Sequence, residues 1–303
     1  MRITPNITAN NSLYNLQQGR AKLDKLQELT ASGNNINRPS DDPIGTNLLL
    51  SVGDQIKAGD QYASNITKAT TFLQVSSTAL QGMADTMQLA KKLVATVSSG
   101  SNDPNELANA VSQLKSIKQQ MVDMGNTQLG NQYVFGGANG KMPFDPAVAP
   151  PPYYSGDETA INVEIAKGSN SPMNIPGNQI LAAGTEAVSK PYGSTDILKT
   201  LDNLIADVGS NNVAGIQAGA DLLEKGADQI TKAQTEVASR MLRLDSTSKM
   251  NVNNKNTLET IVGNTQNVDY AKLAVELTNQ QTAFQASLSA TAKVTKLSLL
   301  DYI

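Results

Sequence analysis

Residues 45–98 read GTNLLLSVGDQIKAGDQYASNITKATTFLQVSSTALQGMADTMQLAKKLVATVS. Val52, Gly59, Ile66, Leu73, Leu80, Met87 and Val94 recur every seven residues, and Gln55, Tyr62, Ala69, Ser76, Met83, Ala90 and Val97 follow three later. A half-buried strand would alternate with period two, whereas a helix with one apolar stripe buries positions three and four apart. Heptads sustained over this length predict a coiled-coil rod, roughly 80 Å long at 1.5 Å per residue.

Breaks on both sides bound the rod. Upstream, Ser32–Gly45 (SGNNINRPSDDPIG) is dominated by Gly, Asn and Pro, so the preceding helix stops there. Asp42 followed by Pro43 supplies an N-cap and a first-turn proline for the rod. Downstream, SSGSND interrupts it, and Asp103-Pro104-Asn105-Glu106 reads as a capping box with Pro at the first helical position. Leu107, Val111, Leu114 and Met121 then carry a second helix to about Gly130. The short break favours antiparallel packing of the two.

The pattern changes at Asn131. QYVFGGANG pairs strand-formers with a Gly-rich turn, and Pro143, Pro146 and Pro150–Pro152 exclude helix. Ile161, Val163 and Ile165 alternate with polar or small neighbours as a half-exposed strand, and SPMNIPGNQIL reads as another short strand with a Pro-Gly turn. Residues 131–195 are therefore expected to form a small β-rich insertion. Helix resumes near Asp196, with Ile197, Leu201, Leu204, Ile205 and Val208 on one side. A second rod places Leu223, Ile230, Val237, Leu244, Asn251 and Leu258 seven apart, with Ala227, Met241 and Val262 four later. Asn251 in that seam could fix register, but local exposure is the favoured reading. IVGNTQN, 261–267, is expected to break the rod.

The two ends are alike in being poor in charge. Arg2 is the only charge before Arg20, and Leu277 to Ala292 holds none. Leu16 and Leu23 share one heptad position, with Gly19 and Leu26 three later; Leu277, Leu288 and Leu299 lie eleven apart, as do Leu273 and Phe284. An eleven-residue step keeps one face nearly aligned along a straight helix. A solvated face usually carries Lys and Glu, so helices covered by partners on most sides are expected. Leu16, Leu23, Leu26, Leu273, Leu277, Phe284, Leu288 and Leu299 are the candidate assembly residues. An ordinary terminal helix packed on its own domain is the plainer alternative.

Composition excludes several chemistries. Among 303 residues there is no Cys and no His, which removes thiolate and imidazole zinc sites, disulfides and Ser-His-Asp catalysis. With 24 basic and 27 acidic residues nothing points to nucleic acid or an anionic membrane. An aromatic content of 4% without Trp suits thin helical packing rather than a thick core. No apolar run is long enough for a signal peptide or membrane span, which by general rules reads as cytoplasmic, although a specialised export route would leave the same blank. Asp157, Glu158 and Glu164 could be offered as paired carboxylates of a hydrolase, but adjacent acids in a Gly-Asp turn are usually solvated, and glycosidase chemistry needs two held at fixed separation. Asp41 and Asp42 read better as capping and turn chemistry than as a metal pair. No catalytic residue, cofactor or metal is expected.

Specific motifs then match a known family. Leu29–Gly45, LTASGNNINRPSDDPIG, resembles the L-x-S-G-x-x-I-N-x-P-S-D-D-P signature of the flagellin superfamily. Filament flagellins typically carry Ala-Ala-Asp-Asp-Ala-Ala there, so Arg38, Pro39, Ser40, Asp41, Asp42 and Pro43 resemble its hook–filament junction branch. Gly130–Gly137 resembles the Y-x-F-G-G entry into an outer domain, and Val268–Ala271, Ala286–Leu288 and Leu297–Ile303 resemble the closing segment. The resemblance implies a mainly α fold: an elongated flagellin-like rod of long coiled-coil helices with paired terminal helices and a small β-rich outer insertion. The expected division is 1–44 with 264–303 as the terminal domain, 45–130 with 196–263 as the rod and 131–195 as the outer domain.

It further implies a structural adaptor at the hook–filament junction, extracellular and exported by the type III route without a cleaved signal. The implied partners are copies of itself in a ring, the first hook-associated protein, flagellin, and an export chaperone on the C-terminal region. Flagellin itself is the alternative within the family; a secreted type III tip or translocator protein is the alternative outside it, and would not explain both terminal motifs. Receptor-binding flagellins carry an Arg-rich patch in a helix that here reads MQLAKKLVATVSS, Met87–Ser99, without Arg, so receptor binding does not carry over.

Overall fold

A computed structural model describes residues 5–99, 103–144, 154–181 and 191–300, with side chains in the terminal helices described at Ile7 and from Asn10 to Lys293. The linker residues 100–102, the prolines Pro146 and Pro150–Pro152, and the closing residues 301–303 lie outside the described residues. Six helices dominate the described residues: α1 (Pro5–Ser32), α2 (Pro43–Ser98), α3 (Pro104–Gly125), α4 (Ile197–Gly209), α5 (Val213–Gln266) and α6 (Tyr270–Leu300). Two antiparallel ribbons, β1 (Gln128–Leu129) with β2 (Gln132–Tyr133) and β3 (Asn162–Ala166) with β4 (Ser169–Pro172), are the strands among the described residues. The chain forms two compact units: residues to Ala58 with those from Asn253, and Gly59–Val252. The divisions fall inside α2 and α5, not at helix ends.

Within Gly59–Val252 the heptads do what their spacing implies. Leu73, Leu80 and Met87 are fully buried, as are Ala69 and Ala90 at the second position. Opposite them on α5 lie Leu223, Ile230, Val237 and Leu244, each at most 1% exposed. Helices α2 and α5 run antiparallel, since Lys91 pairs with Glu224 (3.7 Å), Gln234 donates to Gln81 (3.4 Å) and Asn251 donates to the Gly59 carbonyl (2.7 Å). Helices α3 and α4 are antiparallel too, with Lys118 bonded to Asp202 near one end and Gly209 lying against Val111 at the other. Leu114, Met121, Leu201 and Leu204 close the same core.

The insertion joins that core from one side. Val134, Phe135, Phe144, Ile165, Ile175, Ile180 and Leu181 are buried in it. Asn126 fastens its start, donating to the Phe144 carbonyl (2.7 Å) and accepting from the Phe144 N–H (2.9 Å). The Tyr154 hydroxyl donates to the carbonyls of Phe135 (2.9 Å) and Asp157 (2.8 Å), and its ring stacks at a tilt on Phe144 with centroids 5.5 Å apart. Asn65 on α2 donates to the Glu164 carbonyl and Arg240 on α5 to the Asn174 carbonyl, each at 2.9 Å.

Several local expectations change. Helix α3 stops at Gly125 rather than near Gly130, because Gln128–Leu129 turn back on Gln132–Tyr133 through Gly130, whose φ of +61° suits the first turn position of a two-residue hairpin. In SPMNIPGNQIL only the first residues pair, and Gly177–Gln179 form a 3-10 turn. Helix α5 runs unbroken through IVGNTQ to Gln266. A single Gly costs a helix about 1 kcal/mol, too little to stop one this long; the break falls at Asn267–Asp269, where Asn267 bridges to Asn34. The second buried position of α5 lies three residues on, at Gly226 and Ala233, and Ala227 and Met241 are only half-buried. Asn251 is likewise not simply exposed: it is half-buried and bonded across the seam.

Candidate assembly surface

Helix α1 ends where the sequence changes to Gly and Asn. Gly33 takes φ +71°, the left-handed conformation that closes a helix, and its N–H donates to the Leu29 carbonyl at 2.9 Å. The chain then pairs with the far end of α5. Asn35 donates to the Gln266 carbonyl (2.6 Å) and Val268 to the Gly33 carbonyl (3.2 Å). Asp269 caps α6 through the N–H groups of Ala271 (3.0 Å) and Lys272 (3.2 Å). These contacts set α1 and α6 antiparallel. Further along, Gln280 donates to the Gly19 carbonyl at 3.0 Å, and a side chain at Gly19 would meet the Phe284 ring.

The candidate residues divide along this pair. Leu26 and Leu273 are buried, and Leu16, Leu23, Leu277 and Phe284 are half-buried. Leu288 is 46% exposed although it lies one eleven-residue step from Leu277. The reason is its face: the covered stripe of α6 follows a seven-residue step through Leu277, Phe284 and Thr291, each half-buried, and Leu288 stands to one side of it. Leu13 on α1 is 55% exposed as well. The side chain of Leu299 lies outside the described residues. Ile7, Tyr14 and Val275 add to the uncovered apolar surface, each more than half exposed. The spacing of Leu13, Tyr14 and Val275 carries no heptad signal, so sequence reading missed them.

The signature loop is built around two carboxylates with different tasks. Asp41 accepts from the N–H groups of Asn37 (3.2 Å) and Arg38 (3.0 Å) and pairs with Lys25 on α1 at 2.9 Å. The Lys25 hydrogen bond, followed by the Arg38 N–H, holds its carboxyl below the usual aspartate range. Asp42 instead caps α2, accepting from Ile44 (3.0 Å) and Gly45 (2.9 Å). Arg38 reaches back to Glu28 at 3.5 Å. Pro39, Ser40 and Pro43 are exposed, while Ile36 is buried beneath them. The loop is thus clamped to α1 by ion pairs and to α2 by a cap.

The acidic residues of the insertion are each engaged in local structure. Asp157 accepts from Thr159, Glu158 from Asn178 (3.0 Å) and Glu164 from the Gly168 N–H in the β3–β4 turn (2.9 Å). Among the described residues no helix is long and apolar enough to cross a membrane, and no group of three or more acidic side chains converges as for a metal ion.

The bacterial flagellin N-terminal helical region matches residues 3–140, and the bacterial flagellin C-terminal helical region matches residues 220–303. The chain belongs to the flagellin family. The matched parts hold α1, the signature loop, α2, α3, the first hairpin, most of α5 and α6; the stretch 141–219 lies between them. This flagellin-family chain is 24% identical to flagellar hook-associated protein 3 of Salmonella typhimurium, aligned over 99% of each chain. It is 23% identical to Bacillus subtilis flagellin, over 97% of this chain and 96% of that one. The crystal structure of flagellar hook associated protein-3 from Legionella pneumophila superposes with a TM-score of 0.62, covering 71% of this chain and 98% of that one at 13% identity. That likeness is one of fold.

Proposed function

We propose that this chain is the structural adaptor between the hook and the filament of a bacterial flagellum, extracellular and exported without a cleaved signal. The observation that carries the reading is the alignment with hook-associated protein 3 over 99% of each chain. The Arg38–Pro43 segment, folded as a clamped loop, supports it. In this reading residues 1–44 with 264–303 form the assembling part, 45–130 with 196–263 the rod, and 131–195 the outer domain. The apolar faces left open on α1 and α6 meet neighbouring subunits: copies in a ring, the first hook-associated protein below and flagellin above. Leu288 belongs to that outward set, while Leu26 and Leu273 hold the pair together. An export chaperone takes the C-terminal region before assembly. The protein works by packing rather than by catalysis, and its insertion carboxylates serve turns and caps.

Bacillus subtilis flagellin aligns over nearly the same length, so a filament subunit is the second reading. One experiment separates them. A strain lacking this chain should build hooks and release flagellin into the medium without retaining it. A strain that still secretes a junction protein but has no filament protein to release would mark the chain as flagellin; a strain with normal filaments would overturn both.

A further inference from the structure

We propose that Asn139 is a site of spontaneous deamidation, with the backbone nitrogen of Gly140 as the nucleophile. Asn139-Gly140 is the one Asn-Gly pair in the chain. Both residues are exposed, in the turn that leads from the buried Gly136 and Gly137 to the buried Phe144. Gly140 presents no side chain to shield its nitrogen, adopts φ +66°, and has no atom from beyond its two chain neighbours within 4 Å of where a Cβ would sit. The Asn139 side chain folds back over its own downstream backbone, its Oδ1 accepting from the Lys141 N–H at 3.0 Å. That fold brings Cγ toward the following peptide, and the donated hydrogen bond polarises the Cγ carbonyl in the direction the attack requires.

The reaction balances without any added reagent except water. The Gly140 nitrogen bonds to Asn139 Cγ, the Cγ–Nδ2 bond breaks, and the Gly140 amide proton leaves with Nδ2 as ammonia. Water then opens the resulting succinimide at either carbonyl. One opening leaves an aspartate at position 139, the other an isoaspartate with an extra methylene in the backbone. Either product adds a negative charge two residues from Lys141. The exposed turn has room for the lengthened backbone, so the surrounding core should not report the change.

Other asparagines show why this one stands out. Asn126 is locked by its paired bonds to Phe144, Asn251 by Gly59, and Asn65 by Glu164. Asn131 is exposed in a turn but is followed by Gln132, whose side chain hinders the nitrogen.

The test uses the folded full-length protein, held in mildly alkaline buffer at physiological temperature and then digested with trypsin. Cleavage at Lys118 and Lys141 yields one peptide, residues 119–141, that carries Asn126, Asn131 and Asn139 together. Fragmentation of that peptide should place the new carboxyl at Asn139 and leave Asn126 an amide, with isoaspartyl methylation labelling the same position. Conversion at Asn139 should exceed that at Asn131 by roughly tenfold, and Gly140→Ala should remove most of the excess. Equal conversion at Asn131 and Asn139 would overturn the proposal. So would conversion seen only after unfolding, because the fold would then protect the site rather than present it.

Discussion

The Nδ2 amide of Asn251 on α5 donates to the backbone carbonyl of Gly59 on α2 at 2.7 Å, joining residues 192 apart in sequence. Both stand in heptad seams that otherwise hold apolar side chains. Gly59 leaves the amide room, since a Cβ there would stand 3.1 Å from Asn251 Oδ1. The carbonyl keeps its helical surroundings without Asn251, so Asn251→Ala should cost only about 1 kcal/mol. Gly59→Ala gains helix propensity but crowds the amide. The double variant should therefore be more stable than the sum of the singles by about 0.5–1 kcal/mol. Urea unfolding followed by circular dichroism measures all four proteins; strict additivity would mean that the two residues do not act as a pair.

How far the sequence reaches is visible in the same seam. Period alone located Leu73, Leu80 and Met87 in the core, and cap chemistry located the starts of α2 and α3 at Asp42 and Asp103. These features are local: a helix repeats its geometry, so spacing carries the information. Asn251 was misjudged because its partner is a glycine on a distant helix. The eleven-residue step groups Leu288 with Leu277, whereas the face of α6 that α1 covers follows a seven-residue step through Phe284 and Thr291; spacing alone does not choose between them. The ion pair between Lys25 and Asp41 has no periodic signature, and the motif identified the loop without revealing what clamps it. Gln229 was missed altogether, since nothing in an α5 heptad distinguishes a buried amide from a solvated one.

Gln229 is 1% exposed and holds the return of the insertion against α5. Its Nε2 donates to the carbonyls of Ile180 (2.7 Å) and Thr195 (3.1 Å), and its Oε1 accepts from the Thr195 N–H (3.1 Å). Gln229→Leu strands all three backbone groups and should destabilise by about 3 kcal/mol, a size expected when buried polar groups lose partners. Gln229→Glu keeps the shape but turns a carboxylate toward two carbonyls. It should be worse than wild type at neutral pH and recover as acid protonates it. Thermal unfolding at the two pH values checks this, and equal losses for Glu at both would show that the amide donor is not what matters.

Gly33 stops α1 at φ +71°, and a Cβ there would meet the Tyr270 hydroxyl at 2.6 Å. Left-handed backbone costs a residue with a side chain roughly 1–2 kcal/mol. Tyr270 is 59% exposed and can move aside, so the backbone term dominates. Gly33→Ala should raise hydrogen exchange in α1 and α6 and leave exchange in α3 and α4 unchanged. Gly33→Asn, which tolerates this conformation better, should recover part of the loss.

Burial pushes the Tyr154 hydroxyl well above its usual value, with the nearby Asp157 and Glu158 charges adding to the shift and the Gly177 N–H opposing it. A raised pKa means that the folded state holds its proton where the unfolded state has lost it. Stability from this group is therefore complete below about pH 10, the unfolded value, and declines above it. Tyr154→Phe loses the bonds to Phe135 and Asp157 and should be less stable at neutral pH, but its stability should fall less steeply in alkali. Urea midpoints from neutral to alkaline pH measure the slopes, and parallel curves would remove Tyr154 as the cause.

Leu13 and Leu288 are both about half exposed, on α1 and α6 one to two turns beyond the Gly19–Phe284 contact. Neither closes the core of its own chain, so charging them should leave folding nearly intact; exposed substitutions usually stay within about 0.5 kcal/mol. An apolar surface that docks on neighbouring subunits responds differently, because a lysine buried without a partner is costly. Leu13→Lys with Leu288→Lys should therefore give a chain with wild-type circular dichroism that is exported but cannot restore filaments in the strain lacking this protein. Lys22→Ala with Lys272→Ala, changes at other exposed positions of the same helices, should restore them. Normal filaments with the double lysine variant would move the assembly surface elsewhere on the molecule, whereas loss of helix content would show that Leu13 and Leu288 serve this chain's own fold.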